Sequence, residues 1–132
     1  MKKFLIFCLM SIIGITSFAQ SLQYFRTTSF AYRYADRGQW SSWSDWEICQ
    51  MNMTIDLAND MIYIYSERTQ IYNVLYQEAS PYDSSGQQIK FRVIDQDGDY
   101  GHIRLRIENN GNSQIYVDFA DIAWVYNVRR IQ

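Results

Sequence analysis

"IKFRVIDQDGDYGHIRLRIE", Ile89–Glu108, decides how the rest of the chain is read. Ile89, Phe91 and Val93 alternate with Lys90 and Arg92; Ile103, Leu105 and Ile107 alternate with Arg104 and Arg106. Successive side chains of an extended strand point to opposite faces, so each run has one apolar and one charged face. Asp97-Gly98 lies between them, a pair suited to the positive-φ positions of a hairpin turn. The expected structure is two antiparallel strands with the apolar face turned inward. The connecting "DQDGDYG", Asp95–Gly101, also spaces three carboxylates as a calcium loop does. Counted from Asp95, however, Tyr100 falls where such a loop needs its glycine, and Arg106 falls where it needs the closing glutamate. The turn reading is the better one, and no metal centre is expected.

The same period of two continues in both directions. "SFAYRYA" puts Phe30, Tyr32 and Tyr34 on one face, and "MNMTIDL" does the same for Met51, Met53, Ile55 and Leu57. "MIYIY" (61–65), "IYNVLY" (71–76), "QIYVDF" (114–119) and "IAWVYNV" (122–128) are rich in β-branched and aromatic residues. Turn residues separate the runs, including Ala58-Asn59-Asp60 and the Asn-Gly of "ENNGNS". The longest loop expected is "QEASPYDSSGQQ" (77–88), which holds the only proline. No stretch carries an amphipathic helical pattern. These features predict an all-β fold of about eight antiparallel strands in a meander, forming a small barrel or a sandwich. Connections this short exclude parallel crossovers. A faint likeness between "TIDLANDMIYIYSERTQIYNV" and "RLRIENNGNSQIYVDFADIAWVYNV" lends mild support to that strand order.

The chain begins with "MKKFLIFCLMSIIGITSFAQ". Two lysines, an apolar run from Phe4 to Ile15, and small residues ending at Ala19 are the order of a secretory signal peptide. The apolar run is shorter than the about 20 residues that a membrane-spanning helix needs. Residues 1–19 are therefore expected to be removed, leaving residues 20–132 as a single domain in the periplasm or outside the cell. Losing Lys2 and Lys3 reduces the 12 basic residues to 10 against 14 acidic ones, a net charge of −4. Lys90 is then the only lysine, and the arginines are scattered, which argues against nucleic acid or an anionic membrane as partner. Cys49 is the only cysteine beyond the leader, so no disulfide framework is expected. The readings open for it are a small buried hydrophobe and an intermolecular disulfide. Stability must come from a core, and 48% hydrophobic residues, 17% of the chain being aromatic, are enough to build one.

Two aromatic groupings are the candidate binding residues. In "QWSSWSDWEIC", Trp40, Trp43 and Trp46 recur every third residue, which neither face of one strand can accommodate. They either cap an open end of the fold or form a contact surface, since exposed indoles stack on apolar and sugar faces. The segment resembles the tryptophan motif of thrombospondin type 1 repeats over about ten residues. Those repeats need several disulfides, and with one thiol in the mature chain the likeness is treated as coincidence. The second grouping is Tyr63 and Tyr65 with Tyr72 and Tyr76, which would make a platform if their strands pair, or else cross-strand packing. Catalytic signals are weak: His102 is the only histidine, on the polar side of its strand beside Arg104 and Arg106. No nucleophile motif, metal-ligand spacing or phosphate-binding loop accompanies it. No enzyme activity and no cofactor are expected.

The leader ending "SFAQ", the tryptophan segment, "IYIYSERTQIYNV" and "DQDGDYG" together resemble small exported all-β proteins of unknown function from Bacteroidota. That resemblance implies an envelope or extracellular location and no assigned activity. The function expected is a non-enzymatic binding or protein-interaction domain whose aromatic surface takes a protein, a glycan or a small apolar ligand. The alternative is a carrier resembling lipocalins, with an internal void lined by residues such as Met53, Ile55, Trp124 and Tyr126.

Overall fold

The computed structural model describes residues 22–78, 86–109 and 112–131. The signal-peptide reading, most of the loop centred on Pro81 and the Asn110-Gly111 turn lie outside the described residues. Within them, all the regular structure is strand. β1 spans Leu22–Asp36, followed by the two-residue strands β2 (Gln39–Trp40) and β3 (Glu47–Ile48). Then come β4 (Asn52–Asp56), β5 (Met61–Ile64), β6 (Gln70–Glu78) and β7 (Gly86–Ile94). β8 (Tyr100–Glu108), β9 (Ser113–Asp118) and β10 (Ile122–Arg130) complete the set.

From β4 to β10 each strand pairs antiparallel with the next, as a meander requires. β1 closes the ring: one edge pairs β4 from Leu22↔Asp56 to Arg26↔Asn52, and the other pairs β10 from Phe25↔Arg130 to Tyr34↔Ile122. The result is a closed eight-stranded antiparallel barrel carrying two short extra strands, and the choice between barrel and sandwich is resolved. Its eight staves correspond to the eight alternating runs of the sequence. β2 and β3 were not expected; they lie in the tryptophan segment, where no alternation marks them.

The hairpin that opened the sequence reading is formed as expected. Phe91 faces Ile103 and Ile89 faces Leu105, all buried, while Lys90 pairs with Arg104 and Arg92 with His102 on the outer face. In the turn, the Asp95 carboxylate accepts hydrogen bonds from the backbone N–H of Asp97 and of Asp99, each 2.9 Å. Gly98 adopts φ +87°, where a side chain would be strained. The carboxylate that would open a calcium loop thus shapes the turn itself.

Inside the barrel, Phe25, Met53, Ile55, Ile62, Ile64, Tyr72, Val74 and Tyr126 join the inward residues of β7 to β9 in one cluster. An eight-stranded ring is just wide enough for side chains to fill. Met53, Ile55 and Tyr126, expected to line a void, are members of that cluster, and Trp124 packs against it. The middle is occupied by protein.

β1 is long enough to serve two layers because it changes phase. Its register shifts between Thr27 and Ser29, a β-bulge. Gln23, Phe25 and Thr27 are buried before it; after it Phe30 packs against the core and lies 6.4 Å from the Tyr126 ring. Thr27 holds the bulge. Its hydroxyl donates to the Cys49 carbonyl at 2.9 Å and accepts from the Met51 N–H at 2.8 Å. Beyond the bulge, β1 turns back through Arg37 (φ 54°) and Gly38 (φ 80°), a two-residue connection between paired Asp36 and Gln39. Positive φ at both positions is the hairpin geometry that suits strand twist. Residues 39–51 then run back along β1, bonded from Ser41 to Tyr34, Ser44 to Tyr32 and Cys49 to Thr28.

Candidate functional site

The returning segment brings the tryptophans onto the outside of the barrel. Ala31, Arg33 and Ala35 share the outer face of β1, with Val125 and Ala123 across from the first two and Trp40 across from the third. Small residues beside Arg33 leave room for large rings. The guanidinium carbon of Arg33 lies 4.7 Å from the Trp40 ring centroid and 4.6 Å from that of Trp43, so the cation is held between two indoles. Trp43 meets Tyr116 edge-on at 6.4 Å, and the Arg104 guanidinium carbon lies 4.2 Å from the centroid of the Tyr116 ring. Arg104 ends in an ion pair with Asp118, Nε to Oδ2 2.6 Å. Trp40, Arg33, Trp43, Tyr116, Arg104 and Asp118 thereby form a continuous chain of ring and charge contacts that links the tryptophan segment to β1, β9 and β8. A second chain of bonds braces it: Tyr116 Oη donates to Gln114, Gln114 Nε2 to Asn127, and Asn127 Nδ2 to Ser29.

Trp46 is different. It is 50% exposed and has no ring partner among the described residues. Two residues further on, Ile48 is 87% exposed, far beyond what a β-branched residue in a strand normally shows. Of the three tryptophans, two are clasped in a ladder at 40% and 37% exposure, and one stands free.

The four tyrosines do not assemble into one platform. Tyr63 and Tyr65 lie on the outer side with near-parallel rings, 6.0 Å and 10° apart. Tyr72 points inward opposite Ile62 and is buried, which removes it from any surface; alternation along β6 puts it on the core face with Val74. Tyr76 is exposed but follows a register shift at Val74 and pairs with Arg92, well down the strand from Tyr63, whose partner is Ile71. Tyr65 instead shares a groove of about 620 Å³ with Tyr24, Asn52, Thr54 and Ile131. Tyr24 and Ile131 were not singled out in the sequence, although the alternation of β1 places Tyr24 outside.

The buried phenols belong to the core. Tyr72 Oη donates to Gln70 Oε1 at 2.7 Å, and burial drives its pKa above the usual tyrosine range, with Tyr126 and Asp95 adding to the rise. Burial also raises that of Tyr126, partly offset by the nearby Gln70 amide. The Trp124 indole comes close enough to oppose that rise too, yet its buried N–H makes no hydrogen bond of proper geometry. Trp124 stacks on Phe119 at the barrel mouth, beside a cleft of about 400 Å³ that Asp95, Asp99, Tyr100 and Asp121 also line. His102 is on the outer face as expected, 3.2 Å from Glu78. Cys49 is half-buried against the core.

No family model, no curated protein and no solved structure matches the chain.

Proposed function

We propose that the chain is an exported, non-enzymatic binding domain that makes contact through residues 40–48. The observation that carries this reading is the pairing of a rigid base with a free tip. Trp40 and Trp43 are fixed by Arg33, while Trp46 and Ile48 stand in solvent on the same segment. Exposed apolar groups on a pre-ordered support lose little entropy on binding, which favours contact. The filled interior supports an external site over a carrier's chamber.

The test follows tryptophan fluorescence of the mature domain against soluble glycans and short peptides. A probe that shifts the emission of the native domain, and does so at least about tenfold more weakly with Trp46→Ala, is the expected result. Equal binding by Trp46→Ala and Ile48→Ser, both with native melting temperature, would overturn the assignment to this segment. Export is tested separately. The product secreted from the full-length gene should begin at Gln20.

A further inference from the structure

The edge of the tryptophan segment also says what kind of partner it fits. β3 pairs β1 on one side, and among the described residues no strand pairs with its other side. Asp45, Trp46, Glu47 and Ile48 are all exposed in succession. β3 itself is Glu47–Ile48; continuing its alternation back over Trp46 and Asp45, as an added strand would require, puts the two carboxylates on one face and the two apolar groups on the other. Neither Asp45 nor Glu47 forms an ion pair among the described residues, and no lysine or arginine occurs between Gln39 and Met51.

We propose that this edge takes an extended basic peptide as an added antiparallel strand. Main-chain hydrogen bonds to the free edge would supply affinity, and side chains on alternate positions would supply selectivity. A partner with Lys or Arg at every second position sets its cations against Asp45 and Glu47. Its intervening apolar residues cover Trp46 and Ile48. The same charges reject a second copy of the chain, because antiparallel self-pairing here sets carboxylate against carboxylate, which is destabilising. Short, charged edges usually serve only to prevent association. An isoleucine 87% exposed beside a free indole is the departure from that pattern.

This inference rests on residues 40–48 being the contact surface, and the experiment separates the two. Calorimetric titration of the mature domain uses an alternating lysine–valine octapeptide, its glutamate–valine counterpart, and a lysine–valine peptide N-methylated on alternate residues to remove main-chain donors. The expected result is binding of the first peptide alone, weakened about tenfold by Asp45→Asn with Glu47→Gln and further by added salt. The inference is overturned if the lysine–valine peptide does not bind, if the N-methylated form binds equally, or if the double variant binds unchanged. If a glycan or the acidic peptide instead shifts the native emission and Trp46→Ala weakens that response, the contact surface stands and the basic-strand partner falls.

Discussion

Single side chains set the local conformations here. Arg37 occupies the left-handed region at φ 54° in the β1–β2 turn, a conformation costing a non-glycine residue roughly 1–2 kcal/mol. Asparagine tolerates that region better, so Arg37→Asn should raise stability by about 0.5–1 kcal/mol, read from urea unfolding midpoints. Tyr72 gives a pH signature. Its folded-state pKa is raised by burial, so above an unfolded value of about 10 the unfolded chain loses a proton that the native chain keeps. Stability from this group is complete below that pH and drains away as pH rises through the folded value. Melting temperature should fall on moving to strongly alkaline buffer, and less steeply in Tyr72→Phe. Tyrosinate absorbance should show Tyr72 and Tyr126 ionising only as the chain unfolds. At this scale the candidate site was half legible. The tryptophans stand out by composition, but Arg33 is an ordinary outward arginine until one notices Ala31 and Ala35 on either side of it. Tyr72 was misjudged because "IYNVLY" is apolar on both faces, so alternation alone could not say which tyrosine turned inward.

Strands follow period two, and that is why the eight staves could be read from sequence and their partners counted off in order. What could not be read is the behaviour of β1. A bulge inverts the inside-outside phase without any glycine or proline to announce it, and the Arg37-Gly38 turn lacks the asparagine or aspartate that marks such hairpins. The returning segment shows no alternation because it is bonded to β1 irregularly, with side-chain hydroxyls filling in. Ser44 Oγ accepts from the Tyr32 N–H at 2.9 Å, and Ser41 Oγ from that of Tyr34 at 3.1 Å. Thr27 is the counterpart on β1, serving both the Cys49 carbonyl and the Met51 N–H from a position 1% exposed. Thr27→Val keeps the shape and deletes the hydroxyl, leaving two backbone groups short of a partner. A loss of about 1–3 kcal/mol is expected, with hydrogen exchange quickening first at residues 49–51. Uniform quickening over the whole barrel would place the threonine's role in the core instead.

Closure of the ring removes the edges that an open sheet of this length would expose, and among the described residues only the segment riding on β1 keeps one. With the interior filled, the molecule has two populations of aromatic residue that composition could not distinguish. Phe25, Phe91, Tyr72 and Tyr126 are buried and hold the ring together; Trp46 and Tyr76 are half or more exposed and hold nothing inside it. The difference is measurable. Phe91→Ala removes a ring 2% exposed from the middle of the cluster and should cost about 3–5 kcal/mol, because a closed barrel cannot easily collapse around the cavity. Trp46→Ala should change stability by no more than about 0.5 kcal/mol. Chemical denaturation of the two variants side by side separates structure from contact before any partner is known. A large loss from Trp46→Ala would mean that its indole belongs to the fold, and the surface assigned to residues 40–48 would then lose its free tip.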